Sequence, residues 1–184
     1  RDGTLALGDL CYAEGLLALA VMRYAEHGAT TLSRARRLNC AEAYLALDRV
    51  DEAVATLDAV DADGESRYHL LRARVARQRA DSNAARASWQ RALELDPLAG
   101  EAMMGLGVLH LETGSLDRAG FYFERASRTP SHRLGALVQL AQLAVERQEY
   151  EDAVKRLEEA IDRGAGRLVE RYLARIRRLA ALGD

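Results

Sequence analysis

Apolar residues recur along this chain at three- and four-residue intervals with charged residues between them, and short polar turns interrupt the pattern again and again. That period predicts a succession of amphipathic helices. Gly100 to Pro130 shows the arrangement most clearly, with Met103, Leu106, Gly107 and His110 on a first helix and Ala119, Phe123 and Ala126 on a second. Gly107 leaves a hole in the first helix, and Ala119 and Ala126 keep the second thin, so the two can cross closely as an antiparallel pair. The spacing then repeats: Ala53 to Ala85 is 32 residues, and Ala85 to Ala119 to Ala153 advances by 34 each time.

Four units follow, over residues 34–65, 66–99, 100–133 and 134–165. The first carries Cys40, Ala41 and Tyr44, a turn at Asp48-Arg49, then Ala53, Leu57 and Val60. The second carries Ala73 and Ala76, then Ala85, Trp89 and Ala92; the fourth carries Leu137, Leu140, Ala141 and Ala144, then Tyr150, Ala153, Leu157 and Ala160. Pro97 cannot donate a backbone bond and restrains Asp96, so the second unit's last helix must stop there. Gly64 ends the first unit and Ser66 is read as the next cap. Pro130 arrives one residue early, a slip that a loop absorbs.

The two ends are less regular. In residues 1–31, Gly8-Asp9-Leu10, Ala13, Leu17 and Ala20 read as the turn and second helix of a partial unit. Tyr12, Leu16, Leu19 and Tyr24 add a second apolar stripe, which predicts cover by a segment outside this chain or by another chain. Gly28 suits a helix end, and Thr30 or Thr31 the following cap. After Gly164-Ala165-Gly166, Leu168, Tyr172, Ile176 and Leu179 predict a last helix over 166–182 that covers the final unit.

Met103, Leu106, Gly107 and His110, followed by Ala119, Phe123 and Pro130, stand at the W-x2-L-G-x2-Y, A-x3-F and P positions of a 34-residue motif. The chain thereby resembles the tetratricopeptide repeat family, in its bacterial type. Arg72, where the motif has leucine, departs from it. The resemblance implies an all-α fold: a right-handed α-solenoid of antiparallel helix pairs in a single domain over 1–184, with a C-terminal capping helix.

Composition agrees with a helical chain: two prolines, few aromatics, and much Ala, Leu, Glu and Arg. A formal net charge of -2 argues against general attraction to nucleic acid or an anionic membrane. The longest apolar run, Gly15 to Met22, is too short to cross a bilayer. Arg1 at the start suggests an excised or processed piece, with targeting signals or further domains upstream. Cytoplasm and periplasm both remain open. Cys11 and Cys40 fall on neighbouring helices, where either a disulfide or two small core residues would fit.

Chemistry is sparse. His27, His69, His110 and His132 are scattered without a metal-binding pattern, and His110 reads as a core or semi-buried polar residue. Gly105-Leu106-Gly107 interrupts a helix and lacks the context of a phosphate loop. Glu158 with Glu159, or Glu42 with Asp48, read as helix-face charges. We therefore expect no enzyme, no cofactor and no metal. Arg167, Arg171, Arg175, Arg177 and Arg178 read first as a solvated face near a helix C-terminus, and second as a docking surface for an acidic partner or a phosphate backbone.

The resemblance implies that the first helix of each unit lines a concave groove. One face of those helices reads Leu38, Glu42 and Leu45, then Arg67, Leu70, Leu71, Arg74 and Arg77. It continues with Met104, Val108 and Leu111, then Val138, Gln142 and Val145. Relatives that clamp the acidic tail of heat-shock chaperones carry Lys, Asn and Arg where this chain has Leu38, Glu42, Leu71, Glu101 and Gly105, so that partner is disfavoured. The expectation is a scaffold binding an apolar or amphipathic protein segment, with Arg67, Arg74 and Arg77 meeting acidic residues beside it. A bacterial assembly or secretion machine is its implied setting; the alternative is the peptide- or ligand-sensing part of a larger regulator. A bland rival has the groove residues packed against an N-terminal part of the same protein that precedes this sequence, or simply exposed as ordinary aliphatics. Leu10 to Tyr24 offers an apolar surface for oligomerisation.

Overall fold

The computed structural model describes residues 2–27, 31–61 and 63–183. Among the described residues every regular element is an α-helix. They are α1 (Asp2–Ala13), α2 (Leu17–Ala25), α3 (Arg34–Ala46), α4 (Val50–Asp58), α5 (Ser66–Gln78), α6 (Ser82–Leu95), α7 (Gly100–Glu112), α8 (Leu116–Ala126), α9 (Arg133–Glu146), α10 (Tyr150–Asp162) and α11 (Arg167–Gly183). Odd and even helices pack as pairs from α1/α2 to α9/α10, and α11 packs on α10. The chain falls into two compact units, Arg1–Pro97 and Leu98–Asp184, where the repeats alone suggest one domain.

Small residues set how close each pair comes. A Cβ added at Gly107 would stand 2.4 Å from Cε1 of Phe123, whose side chain is fully buried. Gly8 does the same for Tyr24, where an added Cβ would lie 2.9 Å from the ring. Where the notch is alanine the filler shrinks: Ala41 packs with Leu57, and Ala141 with Leu157. Each buried leucine contributes roughly 1.5–3 kcal/mol.

The reversals also share one geometry. Gly15, Asp48, Ala80, Gly114 and Gln148, each just past a first helix, have φ of 73°, 59°, 56°, 71° and 61°. The following N–H reaches back to the last turn, as in Asp81 N to Ala76 O and Ser115 N to His110 O, both 2.8 Å. These are Schellman closures, which use the left-handed conformation at the residue after the cap.

The N-terminal unit differs from the sequence reading. Gly8 lies inside α1 as a packing notch, and the chain turns at Gly15, so α1 and α2 form a complete pair rather than a lone second helix. The apolar run from Leu10 to Tyr24 is divided between two helices: Cys11, Ala20, Val21 and Tyr24 are core, whereas Leu10, Leu16 and Met22 are exposed. The cap of α3 is Ser33, accepting from Arg36 N, and not Thr31. Ser66 opens α5 instead of capping it, and its Oγ donates to Ala92 O at 3.0 Å. Gly28 and Thr30 lie outside the described residues.

Polar departures from the repeat pattern find partners. Arg72 reaches Asp58 at 2.5 Å, so it replaces a leucine without burying its charge. His110 is buried and stacks on Tyr122 with ring centroids 5.5 Å apart. Cys11 and Cys40 are buried free thiols in one cluster with Tyr24 and Leu32. Among the described residues no helix is long and apolar enough to cross a membrane, and no cluster of metal-capable side chains occurs.

Candidate functional site

Within the first unit, the outward stripe of α3 carries Asn39, Glu42 and Ala46, and that of α5 carries Arg67, Arg74, Arg77 and Gln78. Tyr12 reaches the same place from the end of α1. Glu42 organises the group: Tyr12 Oη donates to its Oε2 at 2.8 Å, Arg67 Nη2 to Oε2 at 2.8 Å, and Arg74 Nη1 to Oε1 at 2.9 Å. Arg67 Nη2 also donates to Asn39 Oδ1 at 2.8 Å and to Tyr12 Oη at 2.9 Å. One carboxylate thus ties together α1, α3 and α5.

Burial alone would raise the Glu42 carboxyl, but the hydrogen bonds from Arg67, Tyr12 and Arg74 outweigh it and hold the group below its ordinary value. The Tyr12 hydroxyl is pushed up by burial and by its bond to the Glu42 carboxylate. A second cluster beside it fixes the α1/α2 pair to α3. Arg36 grips both oxygens of Asp9 at 2.8–3.1 Å, and Tyr24 Oη donates to Asp9 Oδ1 at 2.9 Å. The Arg36 guanidinium holds Asp9 low, whereas burial and the bond to Asp9 push Tyr24 up to about 12.

Next to Glu42 opens a groove of about 610 Å³. Its apolar walls come from Tyr12, Ala13, Leu17, Leu45, Ala46 and Trp89, and its polar edge from Glu42, Arg74, Arg77 and Gln78. Glu42 is the sole carboxylate in that lining against Arg74 and Arg77, so the lining carries net positive charge, and Arg67 stands beside it. Trp89 is 5% exposed and its indole Nε1 has no hydrogen-bond partner among the described residues. A buried donor left unpaired is uncommon and costly.

The anticipated groove residues do not share one environment. Glu42, Arg74 and Arg77 line this groove, and Arg67 and Leu70 are half-buried on α5. Leu38 and Leu71 are each 1% exposed and Leu45 is 6% exposed; all three belong to the core around Leu57 and Val75, and only Leu45 shows an edge to the groove. The reason is angular: Leu38, Ala41 and Leu45 share the face of α3 that packs inward, one step round from Asn39, Glu42 and Ala46.

In the second unit, Met104, Val108 and Leu111 are half-buried against Ala119, Phe123 and Leu140, and Val145 packs on the cluster of Ala141 and Leu157. Val138 and Gln142 line a separate groove with residues of α11.

A family model described as tetratricopeptide repeat matches residues 70–132. That stretch, 70–132, has the sequence of tetratricopeptide repeats. The fold of the chain is similar to that of a thermophilic TPR protein of Thermus thermophilus, at TM-score 0.71 and 15% identity over 95% of this chain and 97% of that one. It is similar also to PilF of Pseudomonas aeruginosa, at TM-score 0.76 and 18% identity over 98% and 87%. YrrB, described as a TPR protein with an unusual peptide-binding site, aligns at TM-score 0.65 and 17% identity over 94% and 90%. At these identities the likeness establishes the all-α solenoid class. No curated protein matches the chain in sequence.

Six members of this groove escape the sequence reading: Tyr12, Ala13, Leu17, Ala46, Gln78 and Trp89. Tyr12 is hidden by the misplaced first turn. The signal is present, because Gly8 to Ala20 to Tyr24 repeats the spacing of Gly107 to Ala119 to Phe123. Trp89 sits at the A-x3-F position, which marks it as core alone.

Proposed function

We propose that this chain is a non-enzymatic protein-interaction scaffold whose first-unit groove takes an apolar or amphipathic protein segment, with acidic residues of that segment meeting Arg67, Arg74 and Arg77. The observation that carries the reading is the pairing of an apolar wall, Leu17 and Trp89 included, with a polar edge of net positive charge. The peptide-binding site named for YrrB supports a peptide as the ligand class. A bacterial assembly or secretion machine is the proposed setting, carried by analogy with the repeat family.

Trp89 is the only tryptophan, so its emission reports occupancy of the groove directly. Titration with a panel of synthetic amphipathic peptides rich in leucine and glutamate is expected to shift that emission saturably. Ala46→Glu, which sets a carboxylate on the exposed lip, is expected to weaken binding at least tenfold. A panel that leaves Trp89 unmoved, or an Ala46→Glu variant that binds as well as the parent, defeats the reading.

A further inference from the structure

We propose that α11 and α9 together form a second docking groove, one that takes an acidic segment of a partner protein anchored by an apolar side chain. The stripe expected to cover the last repeat is turned from its anticipated position. Leu173 and Ile176 face the core with Val169 beside them, whereas Leu168 is 78% exposed and Leu179 37% exposed. Leu168, Arg171, Tyr172, Arg175 and Leu179 recur at three- and four-residue steps and so share one face of α11, next to the buried one. Between that face and Val138 and Gln142 of α9 lies a groove of about 420 Å³.

The charge on this face is unbalanced. Arg156, Arg163 and Arg177 are each matched by a nearby carboxylate, at 2.7, 3.1 and 2.6 Å. Arg167, Arg171, Arg175 and Arg178 form no ion pair with any described residue. The helix dipole rewards cations in the last turn, where α11 carries none, and Arg167 stands in the first turn, where positive charge is unfavourable. The dipole therefore accounts for none of these arginines, and a solvated outer face leaves the 78% exposed Leu168 unexplained.

Arg171 and Arg175 lie one helical turn apart, about 6 Å along the axis. That spacing matches two carboxylates one turn apart on a helical partner, with a leucine between them seated against Leu168, Val138 and Tyr172. A phosphate backbone would satisfy the arginines but has nothing to place on that apolar floor. This face shares no residue with the first-unit groove, so each stands or falls by itself.

The test uses the full chain and a pool of fluorescein-labelled, helix-forming 12-residue peptides with leucine at i and i+4 and glutamate flanking, read by anisotropy. Binders are expected, weakening with salt, and their glutamine twins should bind at least tenfold more weakly. Because the first-unit groove takes peptides of the same kind, each variant is read in an Ala46→Glu background that disables that groove; there Arg171→Glu with Arg175→Glu should reduce affinity tenfold or more and Leu168→Ser several-fold. Circular dichroism checks that these surface variants fold. A pool without binders, or the charge-reversed variant binding normally, overturns the proposal. So does a single-stranded 12-nucleotide DNA that binds equally and ignores Leu168→Ser, which would make this a phosphate surface. Concentration-dependent self-association in sedimentation runs, abolished by Leu168→Ser in a chain that binds no peptide, would assign the face to a second copy instead.

Discussion

Gly107→Ala tests the packing logic of the whole repeat. Alanine in a helix interior is favoured over glycine by about 1 kcal/mol, so on propensity alone the change should stabilise. The structure opposes that gain, because the new methyl would stand 2.4 and 2.6 Å from two carbons of the fully buried Phe123 ring. A flat ring enclosed on all sides cannot yield by rotation alone, and overpacking of this kind costs about 1–3 kcal/mol. With the contact this close, the upper part of that range applies, and the net expectation is a loss of about 1–2 kcal/mol. In urea, with m of about 2 kcal/mol/M, this appears as a midpoint lowered by about 0.5–1 M in far-UV circular dichroism. Phe123→Leu supplies the control, since the alanine notches at Ala41 and Ala141 face leucines. In a Phe123→Leu background Gly107→Ala should become neutral or stabilising, an interaction energy of at least about 1.5 kcal/mol. A Gly107→Ala variant as stable as the parent, or a double mutant that is merely additive, refutes the notch-and-filler account.

Other expectations can be checked alongside. Ala80→Gly relieves a φ of 56° and should raise stability by about 0.5–1 kcal/mol, seen as a higher thermal midpoint. Glu42→Gln should cost about 1–2 kcal/mol at neutral pH by stripping charge from three hydrogen bonds. The Glu42 pKa is lowered from 4.5 in the folded state, so its contribution is fully present above that pH and is lost as pH falls through the folded value. The gap between parent and Glu42→Gln should accordingly narrow as pH falls below 4.5, and a gap that stays constant throughout the acid range would count against the network. Burial pushes the Cys40 thiol up to about 11, so it should resist alkylation at a pH of about 8 in the native protein, with both thiols titrating once the chain is unfolded.

The repeat is legible because its determinants are local. Gly107 with Phe123, and alanines returning at fixed spacing, report helix-to-helix distance whatever surrounds them. The first turn is not legible for a related reason. Schellman reversals here are carried by Asp48, Ala80 and Gln148 as readily as by Gly15 and Gly114, so glycine is a poor guide and Gly8, a notch, reads as a turn. The groove is half legible. Helical period locates Glu42, Arg74 and Arg77, but an apolar side chain between two packed neighbours carries no mark of which neighbour it serves, and Leu38, Leu45 and Leu71 belong to the core. On α11 the same ambiguity exchanges Leu168 and Leu179 for Leu173.

The matched sizes across each pair carry an evolutionary corollary. Gly8 with Tyr24, and Gly107 with Phe123, are fitted sets, as are Ala41 with Leu57 and Ala141 with Leu157. Genetic exchange that joins the front half of one hairpin to the back half of another would set a methyl against an aromatic ring or leave a void. Viable crossovers should therefore fall in the linkers between hairpins, and each hairpin should be inherited whole while its outward charges drift.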